Sequence, residues 1–340
     1  MEKTFDAIIK EIKAGLTGDY KIDLKYLDEK CREYKEHEMG KEIIRTCGRL
    51  MYDIIPETKK AELNEAMEQD RKADRAIIDE IKANIDKKEY DKALLMLEDY
   101  EKKISGIGFY EDDKVSVYFQ FEEFMQEIIY RYRNRVTKEI REAKGIPYCE
   151  VYMIYGSLLV GLKRFEEARR ILKKGLRWNP LSFYMTMEYI ETYKMEGNLD
   201  KAFELTIDAF KIAIHAAQIG RCYRNLGYVF AEKKLYPEAV TCYITGEQLD
   251  NEAKQTQDEV NLIQQLTGHT FNPAMKDLEE YAKRYGFPIG ADKEIVELAY
   301  SYGKHFLEVK EYEGAKYCLG IAYELTGDEE VKKVLNSMPG

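Results

Sequence analysis

The sequence predicts an all-α chain: a superhelical solenoid of antiparallel helix pairs, preceded by a more irregular N-terminal helical half. Three observations predict it. One pattern of large, Gly and Ala residues recurs four times at nearly constant spacing. Only seven prolines occur in 340 residues, several at helix boundaries, so long helices are free to form. The composition, 45% hydrophobic and 34% charged, suits a continuous buried spine with a wet surface.

Residues 1–56 read as a helical hairpin or bundle, with a break at Met39-Gly40 and a stop at Pro56. Residues 57–147 read as a connecting helix followed by degenerate repeats. From Glu57 to about Asp86 there is no Gly or Pro, which predicts one helix well beyond the usual length of roughly 11–12 residues. Ile81, Tyr90, Ala93 and Leu97 then fit a hairpin that turns at Asp86-Lys87-Lys88-Glu89. An aromatic run follows (Tyr118, Phe119, Phe121, Phe124), then a basic run, then a stop at Gly145-Ile146-Pro147.

Residues 148–340 carry the clean copies. The first runs Tyr152, Tyr155-Gly156, Leu159, then Phe165, Ala168, Leu172, and ends at Trp178-Asn179-Pro180. The second holds Ile190 and Tyr193, a turn at Glu196-Gly197-Asn198, and Ala202. The third is Tyr223, Leu226-Gly227, Phe230, Tyr236, Ala239 and Tyr243. The fourth is Ala299, Tyr302-Gly303, Phe306, Tyr312, Ala315 and Leu319. Ala168, Ala202 and Ala239 are 34 and 37 residues apart. Large residues at steps of three and four make the buried stripe of each helix. Gly156, Gly227 and Gly303 mark where one helix approaches its partner closely, with the alanines opposite. Residues 251–290 form an irregular insertion, helical around Met275–Ala282 and broken at Gly286-Phe287-Pro288.

The spacing resembles the tetratricopeptide repeat (TPR) of bacterial proteins, a helix–turn–helix unit of about 34 residues that buries its apolar face only by stacking on neighbours. The resemblance implies that the first helix of each unit lines a concave groove that binds a protein or peptide. Offset from the core stripe, the groove positions are Met153 and Ser157 in the first copy, and Tyr184, Met187 and Glu191 in the second. Arg221, Arg224, Asn225 and Tyr228 follow in the third, and Tyr300 and Lys304 in the fourth. Some members of the family clamp a terminal carboxylate with Lys, Asn and Arg. Here Met153, Ser157 and Glu188 depart from that pattern, and Arg221, Arg224 and Asn225 fit it. The groove therefore offers Tyr and Met as apolar anchors and two Arg for an acidic group. The alternative for the two Arg is pairing with Glu188 or Glu191 of the adjacent repeat.

The remaining residues are read by exclusion. A net charge of −10 argues against nucleic acid or anionic membrane as a partner. No apolar run is long enough to cross a bilayer, and the start Met1-Glu2-Lys3-Thr4-Phe5-Asp6 lacks the apolar core of a signal peptide. Six cysteines without a Cys-x-x-Cys motif suit a reducing cytoplasm; Cys222 and Cys242 read as buried thiols, a redox pair being the sharper alternative. No phosphate loop, His-Glu-x-x-His or Gly-x-Ser-x-Gly occurs, so neither enzyme activity nor a cofactor or metal is expected. The four histidines read as surface or capping residues. Glu122, Glu123 and Glu127 read as a solvated helix face. Arg131, Arg135 and Lys138 read as one face of a helix, paired with Glu139 and Glu142, with nucleic-acid contact as the alternative. Two functions stay open: a non-enzymatic scaffold that holds a peptide or helix in its groove, or a peptide-responsive regulator similar to the quorum-sensing TPR receptors of Gram-positive bacteria, with an N-terminal effector module.

Overall fold

The computed structural model describes residues 4–106, 110–250 and 255–339. Two compact units emerge. The first comprises Met1–Gln120 and Val136–Val151, the second Phe121–Arg135 and Tyr152–Gly340.

The first unit begins with α1 (Phe5–Ala14), α2 (Tyr20–Glu33) and α3 (Gly40–Ile54), which share a core of Ile8, Ile12, Leu27, Ile43 and Cys47. Caps set the boundaries. Asp19 accepts the amide of Lys21 at 2.9 Å, and Pro56 stands immediately before the next helix. Buried Asp23 accepts the Thr17 and Gly18 amides at 2.7 and 2.9 Å, which ties the α1–α2 loop to α2. Helix α4 (Glu57–Asp86) is a single helix over the whole Gly- and Pro-free stretch, followed by α5 (Tyr90–Ser105). Residues 57–73 of α4 bury nothing fully; from Asp74 onward the helix packs through Ile78 and Ile81.

Strands β1 (Ser116–Phe119) and β2 (Glu139–Glu142) pair in parallel, Val117 opposite Ile140, and complete the first unit. Helix α6 (Phe124–Asn134) lies between them in sequence and belongs to the second unit. This corrects the reading of the basic run as one helical face. The helix ends at Arg135, which takes a left-handed conformation (φ 47°). Lys138 lies beyond it and donates to the Asp113 carbonyl at 2.6 Å, while Arg141 sits on β2 and donates to Ser116 Oγ at 3.2 Å. The expected pairing partners Glu139 and Glu142 are themselves strand residues.

The second unit continues through α7 (Tyr148–Gly161, from Tyr152 onward) and α8 (Phe165–Trp178), then α9 (Phe183–Met195) and α10 (Leu199–Phe210), and α11 (Ala216–Glu232) and α12 (Tyr236–Leu249). Next come α13 (Gln255–Thr267) and α14 (Met275–Tyr285), α15 (Lys293–Glu308) and α16 (Tyr312–Thr326), and finally α17 (Glu329–Ser337). Successive antiparallel pairs pack on one another, so the architecture is a helical solenoid with a single pair of short strands among the described residues. Residues 251–254 of the expected insertion lie outside the described residues; the rest holds α13 and α14, and Gly286 (φ 76°) ends α14.

All four clean repeats and the α4–α5 hairpin turn identically. A left-handed residue stands two positions before the second helix: Lys88, Lys163, Lys234 and Lys310, and Gly197 in the α9–α10 pair. The following amide bonds back to the carbonyl five residues earlier, as in Arg164 to Leu159 and Leu235 to Phe230, both at 2.9 Å. This is the Schellman closure of a helix. Five residues after each left-handed position stands a fully buried alanine, Ala93, Ala168, Ala202, Ala239 or Ala315. The glycines do what their positions suggested. A Cβ on Gly227 would stand 2.8 Å from Tyr243 Cδ1, and one on Gly303 2.6 Å from Leu319 Cγ; Gly156 is closed in the same way by Leu172. Gly220 and Gly246 add a contact that the repeat pattern does not contain: a Cβ on either would stand 2.7 Å from the other's carbonyl oxygen.

Candidate functional site

The second unit joins several first-helix side chains into one stripe across α7, α9 and α11. Ser157 of α7 hydrogen-bonds Glu188 of α9. One turn along α9, Glu191 accepts from Lys194 Nζ at 2.8 Å, and the same ammonium donates to Asn225 Oδ1 of α11 at 3.2 Å. Lys194 also stands 4.5 Å above the centre of the Tyr228 ring, within cation–π range. Asn225 reaches Met187 Sδ at 3.3 Å. Recurring steps of three and four along these first helices put the residues on one surface.

Burial pushes the Glu188 carboxyl up; the Ser157 hydrogen bond opposes this, the Glu191 charge adds to it, and Arg221 and Lys194 pull it down. Burial likewise raises the Tyr228 hydroxyl, helped by Glu232, Glu191 and Glu259. The stripe is therefore polar, half sheltered and mixed in charge.

The predicted groove residues separate into three groups. Ser157, Glu191 and Tyr228 are half-buried members of the stripe. Met187 and Asn225 belong to it but are buried beneath it. Met153, Tyr184, Tyr300 and Lys304 stand apart: Met153 is half-buried, Tyr184 is 59% exposed, and Lys304 covers the Tyr300 ring at 4.2 Å. The two arginines do not act together. Arg221 is exposed and feels Glu188. Arg224 turns toward α12 instead, where it donates to Asp250 Oδ2 at 2.8 Å, and its Nη1 is buried without a hydrogen-bond partner. Its ion pair is thus with Asp250 and not with Glu188 or Glu191. Lys194 was not among the predicted residues. Its signal was present: a Lys three residues after Glu191 on the same helix face.

A second cluster surrounds His215, the residue before α11. Its Nε2 contacts Glu123 Oε2 and its Nδ1 contacts Glu324 Oε2, both at 2.9 Å. Glu324 also accepts the Ala216 amide at 2.8 Å, and the Tyr317 hydroxyl donates to Glu123 at 3.2 Å. Hydrogen bonds to Glu123 and Glu324 raise the imidazole to about 10. At neutral pH the ring is a cation with both nitrogens donating, which leaves no lone pair for a metal or for proton abstraction. It is a clamp that joins the start of α6, the start of α11 and α16. His215 holds the N-cap position of α11, but its ring meets two carboxylates instead of capping an amide; Gln218 Oε1 accepts the His215 amide at 3.3 Å.

The same cluster corrects the reading of Glu122, Glu123 and Glu127 as a solvated helix face. Glu123 is the N-cap of α6, so Glu122 and Glu123 precede the helix. Burial raises the Glu122 carboxyl, which touches the Ser182 hydroxyl at 3.3 Å. Only Glu127 lies on the helix, paired with Arg131 at 2.8 Å. Gln126 completes the anchoring of α6: its Oε1 accepts the Glu122 amide at 2.8 Å and Asn179 Nδ2 at 2.9 Å. Met125 and Ile129 bury completely among Leu181, Ile214, Ile295 and Cys318. Cys222 and Cys242 are buried thiols, both pushed upward by burial.

No protein-family model matches the chain, and no curated protein matches it. Among solved structures, 24 chains match. One of them is the crystal structure of YrrB, described as a TPR protein with an unusual peptide-binding site; it is 15% identical, with a TM-score of 0.29 over 64% of this chain and 99% of that chain.

Proposed function

We propose that the solenoid is a non-enzymatic, TPR-like scaffold of the cytoplasm that holds a protein or peptide segment along the α7–α9–α11 stripe. One observation carries this reading. Ser157, Glu188, Glu191, Lys194 and Tyr228 form a continuous half-sheltered line across three first helices. Such a line supplies an extended ligand with hydrogen-bonding groups and one aromatic face. Arg221 is the cation left to meet an acidic group of the ligand. No helix among the described residues is long and apolar enough to cross a membrane.

The test is a pull-down from the native cell with the intact chain, followed by titration of the recovered partner's synthetic segment. A charge-assisted hydrogen bond is worth roughly 1.5–3 kcal/mol, so Arg221→Glu should weaken that binding about tenfold to a hundredfold. Tyr228→Ala should weaken it as well, with the thermal midpoint held. A partner that binds both variants normally removes the stripe from consideration.

A second reading has one observation in its favour. The α1–α3 bundle has a core of its own, as a separate effector module would. A regulator that answers a peptide in the groove would then pass the signal to that bundle. A small secreted-peptide gene beside this one would favour it.

A further inference from the structure

The surface opposite the buried side of α8 was not used by the groove. The stretch from Ala168 to Met187 holds five Lys or Arg and no Asp or Glu, in a chain of net charge −10. Arg169, Lys173 and Arg177 stand four residues apart, so they repeat at about 6 Å along one face of the helix. Each lies over an aromatic ring. Arg169 is 4.7 Å from the centre of Tyr193, Lys173 is 5.7 Å from Tyr189, and Arg177 is 4.3 Å from Trp178. The Tyr189 and Tyr193 hydroxyls in turn touch at 3.3 Å. Arg170 adds a cation beside this row. Arg169 is occupied by Glu196 at 2.7 Å, whereas Arg170 and Lys173 are exposed and form no ion pair among the described residues.

We propose that the exposed cations of this face, Arg170 and Lys173, form a docking surface for an acidic helix of a partner protein, one with carboxylates one helical turn apart. The spacing supplies the match. Arg170 and Lys173 stand one turn apart, at the roughly 5–6 Å that separates Glu side chains three or four residues apart on a facing helix. The Tyr189 ring holds Lys173 in place and reduces the freedom lost on binding. The rings under the row argue against single-stranded nucleic acid, because their faces are covered by cations and are not open to stack bases. The net negative charge of the chain also repels a long polyanion that extends beyond this face. This surface does not depend on the groove.

The test uses the full chain and a labelled, Ala-rich helical peptide with Glu at three positions four apart, read by fluorescence anisotropy. A control peptide has Gln at those positions, and oligouridine serves as the nucleic-acid probe. The Glu peptide is expected to bind at least about tenfold more tightly than the Gln peptide, and the difference should shrink at high salt. Arg170→Glu with Lys173→Glu should weaken the Glu peptide about tenfold or more, and Lys173→Gln should weaken it less. Arg221→Glu in the groove should leave it unchanged. The proposal is overturned if the Glu and Gln peptides bind alike, if the α8 variants bind normally, or if Arg221→Glu has the larger effect. Oligouridine that binds through Arg170 and Lys173 more tightly than the peptide overturns it in favour of nucleic acid.

Discussion

The α4–α5 and α11–α12 hairpins turn in the same way and pack differently. Both turn through a left-handed lysine, Lys88 or Lys234, and both bury an alanine five residues later. Seven residues before the lysine, α11 has Gly227 and α4 has Ile81. Gly227 lets Tyr243 lie against the helix backbone, and Gly220 and Gly246 bring the two backbones together. Ile81 instead fills that space with its own side chain, which is 1% exposed. Helix α9 also has an isoleucine there, Ile190, fully buried. The turn and the alanine therefore define the hairpin, and the residue seven before the turn sets how closely its helices approach.

Exchanging the two solutions should break both. Ile81→Gly removes a buried side chain and weakens the helix, at a cost of about 3–5 kcal/mol. Gly227→Leu drives a side chain into Tyr243 and should cost about 1–3 kcal/mol. Thermal unfolding of each variant checks the pair. An unchanged midpoint for Gly227→Leu would show that close approach contributes nothing there.

The starts of the two hairpins differ as well. Helix α4 follows Pro56, whereas α11 follows the His215 clamp. His215 is raised from 6.5 to about 10, so its contribution is full below pH 6.5 and is lost as pH rises toward 10. Glu123 and Glu324 are lowered, in each case first by the His215 hydrogen bond, so their contributions fail in the opposite direction, as pH falls below the usual 4.5. One third of the imidazole is exposed, and after screening about 1–2 kcal/mol remains. Denaturant unfolding at pH 6.5 and pH 10 should show the wild type losing that much more than His215→Gln. Equal losses would remove the clamp from the account.

The smallest effect sharpens the shared part. Lys234→Gly relieves a left-handed lysine and should stabilise by about 0.5–1 kcal/mol, the strain being partly offset by the freedom of glycine in the unfolded chain. The same change at Lys88 should have the same sign. Opposite signs would mean that the two turns are not equivalent.

The repeats were legible because their signals are local. Gly156, Gly227 and Gly303 could be assigned to close contacts from spacing alone, and the Gly- and Pro-free run gave α4 its limits. The left-handed lysines were not seen, because lysine carries no bias toward that conformation and the turn geometry overrides it. The Gly220–Gly246 contact falls outside the repeat pattern. Helix α6 is legible only in part. Its basic C-terminal half reads as a helix that continues, and only the φ of Arg135 stops it. Its burial depends on Ile295, Cys318 and other residues far along the chain, which no local window contains. In the stripe, the groove-facing phase was readable, but the direction of Arg224 was not, since Asp250 competes for it from the next helix.

The place of α6 also sets an order in time. The Met125 amide meets the Tyr317 hydroxyl across 192 residues of sequence. At roughly 5–20 residues per second, a ribosome needs about 10–40 s after making α6 before the other half of that contact exists. During that interval the strands on either side of α6 can pair and Leu181 and Ile214 can cover part of its apolar face, while Met125 and Ile129 still lack the cover of Ile295 and Cys318. Helix α6 is thus made early and fully buried late, and a nascent chain stalled before α15 would leave part of its apolar face open to whatever is nearby.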